Sequence, residues 1–506
     1  IILLALATGL VGCGAQPLPP LDSAHEPALR TSVAHLTSQP LEGRAIGTVG
    51  LEGAAHYLAG YFEGLGLPSL PNHPYFHPFT YTRTEGLKLA THLTFAGVKL
   101  QRGNDYHPAY YSPEGSFEGT VAFVGYAVSA PADDYDDFAG VDLKGKVALA
   151  MRFEPQLPNG DSQLAGASWS EHAPILRKAK EAADRGAVAL VLATPPGRKL
   201  KDSLVMVARN QSATAPIPVY LVEQHIADRL LAAGGMPNLK TMQAHIDHAY
   251  SPRSVILRNT KLSGTVAFQR NSFNLKNVVA FVPGRGPLAD EYIVIGAHYD
   301  HIGRGAYGSR SPGSRLIHPG ADDNASGTAA LLELARLFEG RRAGRSLLFV
   351  GFSAEEVGLI GSKHFVENPP VPLSKIKAMI NLDMVGRLRS NQITVGGMAT
   401  SAAFDPIIQA VDEQSPLKVA HAWKDGIAPS DCLPFVQKGI PILFFFTGVH
   451  PDVHRVSDTP DKINYAGQAQ VVDFAAATIE RLRTTPVLEY SPPSAKPTST
   501  PAEAGQ

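Results

Sequence analysis

The chain has 506 residues, with 45 Lys and Arg against 46 Asp and Glu, a formal net charge of −1. At roughly 150 residues per domain this length makes two or three domains, and a hydrophobic share of 44% excludes a disordered polymer. The near-neutral balance argues against a nucleic-acid binder, which carries a basic surplus. The two cysteines, Cys13 and Cys432, exclude a disulfide scaffold and a Cys-rich zinc module.

Residues 1–12 are apolar. The run is too short for a bilayer, which takes about 20 residues, and has the length of a signal peptide's apolar region. Leu10-Val11-Gly12-Cys13 resembles a bacterial lipobox, with Cys13 the lipidated residue, and a Pro-rich tether follows over 13–23. Gly14 stands where Asp would direct retention in the inner membrane. The expectation is an exported outer-membrane lipoprotein, lipid-anchored and facing periplasm or exterior. The alternative is an ordinary cleaved signal and a secreted protein.

Residues 24–66 show helical spacing, and 75–125 turn to β-rich text such as Phe79-Thr80-Tyr81-Thr82. The stretch 111–260 mixes short strands with a helix from His172 to Gly186 and holds no catalytic cluster. After Asn277, strands and helices alternate. Strands are expected at 278–282, 292–295, 346–352, 378–382 and 440–446, and helices at 326–338 and 468–483. That alternation predicts an α/β fold, a mixed, mostly parallel sheet flanked by helices. The domain reading is a first part of the main domain over 24–110, an insert over 111–260, the catalytic part over 261–487 and a disordered tail over 488–506.

Five patches of metal-ligand residue types fall at strand ends or helix starts: His298-Tyr299-Asp300-His301, Asp322-Asp323-Asn324, Glu355-Glu356, Asp383, and His454 with Asp458. Ligand crevices of open α/β sheets lie at the carboxyl ends of the strands, so the five converge. Imidazoles and carboxylates without thiols suit zinc, manganese or cobalt. Singly, each has a bland reading: a core histidine, a helix cap, a solvated acidic pair. Five in this order do not.

The motifs Gly296-Ala297-His298-Tyr299-Asp300-His301, Gly320-Ala321-Asp322-Asp323-Asn324, Phe352-Ser353-Ala354-Glu355-Glu356, Asn381-Leu382-Asp383-Met384 and His454 to Thr459 resemble the two-zinc exopeptidases, peptidase family M28. That family includes secreted bacterial aminopeptidases, glutamate carboxypeptidase and the transferrin receptor. Leu41-Glu42-Gly43-Arg44 is similar as well, and 111–260 resembles the family's β-rich α+β protease-associated domain. The resemblance implies two Zn2+ per chain, with His298 and Asp383 on one ion, Glu356 and His454 on the other, and Asp323 bridging. It implies Glu355 as general base, then proton donor to the leaving amine, and Asp300 as acceptor for the second ring N–H of His298. Asp322 stays a rival for the bridge. His301, His318, His421 and His450 are not expected as ligands, although His318 and His450 are placed near the cleft. Val453 departs from the Tyr common before the last His, and Cys432 from the His of a Ser-Asp-His; a small packing residue is expected there.

The activity implied is an aminopeptidase that hydrolyses N-terminal peptide bonds through a two-zinc-activated water. Peptides are its partners, and the oligomeric state is not legible. A carboxypeptidase or dipeptidase of the same family would need a basic cluster, for which Arg387, Arg389 and Arg304 are available. A non-catalytic receptor-like binding protein would have lost ligands.

Overall fold

Four apolar runs, Ser346–Phe352, Tyr292–His298, Ile376–Leu382 and Ile442–Phe446, lie side by side as parallel strands. They are nearly continuous Val, Ile, Leu and Phe text, as strands covered on both faces require. This is a computed structural model, and it describes residues 25–492 apart from 70–73, 197–213, 306, 312 and 421–425. The signal segment 1–12, Cys13, the tether 13–23, His421 and residues 493–506 of the expected tail lie outside the described residues; the start of that tail is ordered, with Leu488 buried in a core and Ser491 N bonded to the carbonyl of Thr400.

Antiparallel neighbours extend the sheet on both sides. Residues 278–282 pair with Ser346–Phe352, and Gln392–Gly396 pairs with Ile442–Phe446. The order across eight strands is mixed, with the parallel four at the centre. Successive side chains of a strand face opposite sides. Ile293 and Ile295 therefore enter one core with the helices His25–Leu36, Gly327–Phe338 and Tyr465–Thr484. Val294 and Met379 enter another with Phe365 and Phe435. In the helix Gly327–Phe338 the residues Leu331, Leu334 and Phe338, spaced along one face, are buried, and Ala330, Leu332 and Glu333 are buried too. The helix is enclosed on nearly all sides, not amphipathic at a surface. Its Ala- and Leu-rich text supplies good helix formers, and truncating Leu331 would cost about 2–5 kcal/mol.

Glu333 is tolerated inside because it is paired. Nδ1 of His25 lies 2.6 Å from its Oε1, and Nε2 of His25 lies 3.2 Å from Asp473 Oδ1. Arg336 adds a two-pronged contact at 2.6 and 2.9 Å. One imidazole thus joins three helices.

The chain divides into two compact units. One runs to Tyr81 and resumes at Phe273; the other is Thr82–Ser272. The second has its own eight-stranded mixed sheet and its own core around Val147, Leu149, Val191 and Tyr220. Its bounds reach beyond 111–260 on both sides. The reason is hydrogen bonding: His92–Phe95, Val98–Lys99 and Tyr106–Pro108 are strands of that sheet, and Val255–Val266 continues past 260. The helix expected from His172 is shorter, Ile175–Asp184. Among the described residues no helix is long and apolar enough to cross a membrane.

Candidate metal centre

Parallel alignment brings the carboxyl ends of the central strands to one edge. His298 is the last residue of its strand, Asp383 follows Leu382, and Glu355 and Glu356 follow Phe352 by a short turn. The turn Ala321–Ser326 carries Asp323, and the loop after Ile442–Phe446 carries His454.

Asp323 stands between two clusters. Its Oδ1 is 3.4 Å from His298 Nε2, and its Oδ2 is 3.1 Å from His454 Nε2. His298 Nε2 also faces Asp383 Oδ1 at 3.5 Å, and His454 Nε2 faces Glu356 Oε2 at 3.1 Å. Ligand atoms of His298, Asp323 and Asp383 lie within 4.8 Å of one another, and so do those of His301, Asp323 and Glu356. All five expected ligands meet here, and Asp323 belongs to both groups.

Asp322, the neighbour of Asp323, is held by other groups. Its Oδ1 accepts from Gly386 N at 2.6 Å and Ser326 Oγ at 2.9 Å, while Oδ2 faces His450 Nε2 at 3.1 Å. It is a buried brace, with no place in either cluster. His450 is therefore the partner of Asp322. His318, also buried, is bonded to Ser309 and the carbonyl of Gly303.

Asp300 meets the His298 ring through its backbone carbonyl and not through its carboxylate. His298 Nδ1 is 3.3 Å from the Asp300 carbonyl and 3.8 Å from its carboxylate. The carboxylate instead accepts the backbone N–H groups of Glu355 at 3.1 Å and Glu356 at 3.4 Å. Two amides fit it better than one ring, and they fix the turn that presents the glutamate pair.

Sequence reasoning set His301 aside, yet the structure places it at the site. Its Nδ1 is 2.6 Å from Glu356 Oε1. No local pattern shows this, because the partners are separated by a whole strand and helix. Cys432 is fully buried, with burial pushing its thiol well up, as a packing residue requires. Val453 is also largely buried.

Many acids are packed together. Burial, reinforced by Glu356, Asp431 and Asp383, holds Glu355 well above the usual carboxylate range. Burial likewise raises Asp300 to about 6 and Asp431 to about 7. Burial also acts upward on Asp323, but hydrogen bonds from His298 and His454 outweigh it and hold this carboxylate well below. Arg44 is a buried counter-charge. Its guanidinium donates to the carbonyls of Tyr299, Leu36, Pro319 and Gly320, at 2.6–3.0 Å. Two of those carbonyls flank the His298 and Asp323 turns. Such a donor set, imidazoles and carboxylates without a thiol or ammonium among them, fits divalent cations of the zinc type.

A mixed α/β sheet with paired hard-ligand clusters at its carboxyl edge defines the class of protein. The sequence profile of peptidase family M28 matches residues 277–479. The uncharacterized protein YfbL of Escherichia coli is 30% identical over 236 residues, covering 39% of this chain and 68% of that protein. Aminopeptidase YwaD of Bacillus subtilis is 27% identical over 218 residues, 40% of this chain and 44% of that one. The chain belongs to peptidase family M28. It spans between about a third and three fifths of the length of the first curated relatives it matches. An aminopeptidase from Aneurinibacillus sp. strain AM-1 shares the fold, with a TM-score of 0.54 at 21% identity over 94% of this chain and 96% of that one.

Proposed function

We propose that this chain is an aminopeptidase that uses two zinc ions to hydrolyse the N-terminal bond of peptides. The observation that carries the reading is Asp323, with one oxygen toward His298 and the other toward His454. His298 and Asp383 would hold one ion, His454 and Glu356 the other, and Asp323 both. Zinc supplies Lewis acidity to a peptide carbonyl and lowers the pKa of water.

The chain's own residues do the rest. Asp300 fixes the backbone of Glu355 and Glu356, so that Glu356 serves the cluster and Glu355 is left for the proton. Glu355 takes a proton from the attacking water and returns it to the leaving amine. Ser430 Oγ donates to Asp383 Oδ2 at 2.7 Å, orienting that carboxylate. Gly308 O accepts from His454 Nδ1 at 2.9 Å, leaving Nε2 to face the acids.

The carboxypeptidase reading finds its three arginines already engaged to different degrees. Arg387 is committed to Asp452 and Asp458 at 3.3 and 3.1 Å, and Arg389 to the carbonyls of Thr447 and Val449. Arg304 donates to the carbonyl of Arg315. A receptor-like protein is disfavoured because His298, Asp323, Glu356, Asp383 and His454 are all retained in the sequence. For the second unit a protease-associated domain remains the proposal, and for placement an outer-membrane lipoprotein anchored at Cys13.

Assay of amino-acid anilides against N-blocked dipeptides tests the reading. Free-amine substrates should turn over, strong chelation should stop them, and zinc should restore them. Turnover of only the blocked substrates, or full activity in chelator, would overturn it.

A further inference from the structure

We propose that His301 is a positioning residue that makes Glu356 offer one oxygen, Oε2, to the second metal. The inference rests on the two-metal reading above and adds to it a residue set aside as a ligand.

The geometry is specific. Nδ1 of His301 is 2.6 Å from Oε1 of Glu356, and the ring is fully buried. The other oxygen, Oε2, is the one 3.1 Å from His454 Nε2. The carboxylate is therefore divided: one oxygen takes the His301 N–H, and the other faces the cluster. Both oxygens would otherwise be free to chelate one ion or to rotate away.

The ring stands with Asp323 and Glu356 in the second cluster, and its Nδ1 is the nitrogen that has a hydrogen-bond partner there. Among the described residues its Nε2 has no hydrogen-bond partner. A buried polar atom without a partner is destabilising, and the bond from Nδ1 to Glu356 is the hydrogen bond that this ring makes. Space for the ring is set aside. Gly320 has φ 57°, and a Cβ on it would lie 2.5 Å from His301 Cδ2. Glu356 is also the ligand whose backbone is held by Asp300, from the same run of four residues. Asp300 thus fixes the main chain of Glu356, and His301 fixes its side chain.

The expected effect is on one metal and not the other. Removing a group that orients a metal ligand weakens metal affinity by about 10–100-fold. In His301→Leu the second zinc should loosen by about that factor, while the zinc held by His298 and Asp383 keeps its affinity. In His301→Asn the side-chain amide stands near the position of Nδ1 and can donate to Oε1, so most of the lost affinity should return.

The measurement is zinc binding to metal-free full-length protein, by competition with a chromogenic chelator, for wild type and both variants. Thermal melts of the metal-free proteins show that each variant folds. Two tight zincs in wild type, one weakened in His301→Leu and rescue by His301→Asn support the inference. Unchanged affinities in His301→Leu overturn it while leaving the two-metal reading intact. An asparagine variant as weak as leucine also overturns it, since the ring itself would then be the ligand. Wild type without tight zinc overturns both.

Discussion

Asp458 Oδ2 accepts the backbone N–H groups of both Asp322 and Asp323, at 2.9 and 3.1 Å. Its Oδ1 accepts from Arg387 at 3.1 Å. Asp458 lies in the same loop as His454, so one carboxylate ties that loop to the turn carrying Asp323. Asp458→Ala leaves two buried donors without an acceptor, at about 1–3 kcal/mol each. Stability to urea should fall by about 2–6 kcal/mol, and Asp458→Asn should recover part of it through its carbonyl oxygen. An alanine variant as stable as wild type would show that the tie contributes nothing.

Glu355 and Glu356 should separate cleanly. Glu355→Gln cannot accept a proton and should lose about 10²–10⁴-fold in kcat while retaining both metals. Glu356→Gln should lose one metal first. Metal analysis beside kinetics checks this, and reversed phenotypes would exchange the two assignments.

The neighbouring aspartates give a second contrast. Asp323→Asn should weaken both metals, because both clusters share that side chain. Asp322→Asn should keep metal stoichiometry and lower the melting temperature, since it disturbs only the contacts to Gly386, Ser326 and His450. Loss of metal in Asp322→Asn with none in Asp323→Asn would transfer the bridge to Asp322.

Metal removal should destabilise the protein as well as silence it. A ligand present at 100 times its Kd stabilises by about 2.7 kcal/mol, and the carboxylates around Asp323 repel one another when no cation is shared. Melting should shift down in chelator and return with zinc. Superimposable melts would show that no tightly held metal is linked to folding.

Stability should also fall on the alkaline side. Hydrogen bonds to Asp473 and Glu333 raise His25 to about 9 from an ordinary 6.5. A group raised in the folded state contributes fully below its unfolded pKa and loses that contribution as pH climbs through the folded one. The loss should therefore run from about pH 6.5 to 9. His25→Asn should flatten the slope in that window. A variant with the wild-type slope would assign it to other groups.

The site was legible because chemistry-bearing residues stand at the ends of continuous apolar strands, where parallel packing must gather them. That rule gathers the patches around His298, Glu356 and Asp383; which residue of each patch is the ligand came from the resemblance to the two-zinc exopeptidases. The choice between Asp322 and Asp323 needed the shape of a turn, which residue identity does not show. Asp300 lies two residues from His298, yet its carboxylate reaches the amides of Glu355 and Glu356. Spacing along the chain suggested the nearer partner. The bounds of the second unit were missed because 75–125 reads as β-rich text throughout, and residue identity does not show which sheet His92–Phe95 and Tyr106–Pro108 join.

The interruption of the first unit by Thr82–Ser272 has a consequence for biosynthesis. Leu29, Val33, Leu58 and Phe62 have no solvent exposure in the finished fold, and they share a core with residues from Leu275 onward. On the ribosome they emerge first and wait for the whole intervening stretch, about 10–40 s at ordinary elongation rates. Throughout that interval they lack their partners from Leu275 onward, while the intervening unit holds every strand of its own sheet once Val255–Val266 is made. The nascent chain should therefore gain protease resistance from its middle outward, with the leading helices the last part of the first-made sequence to be protected.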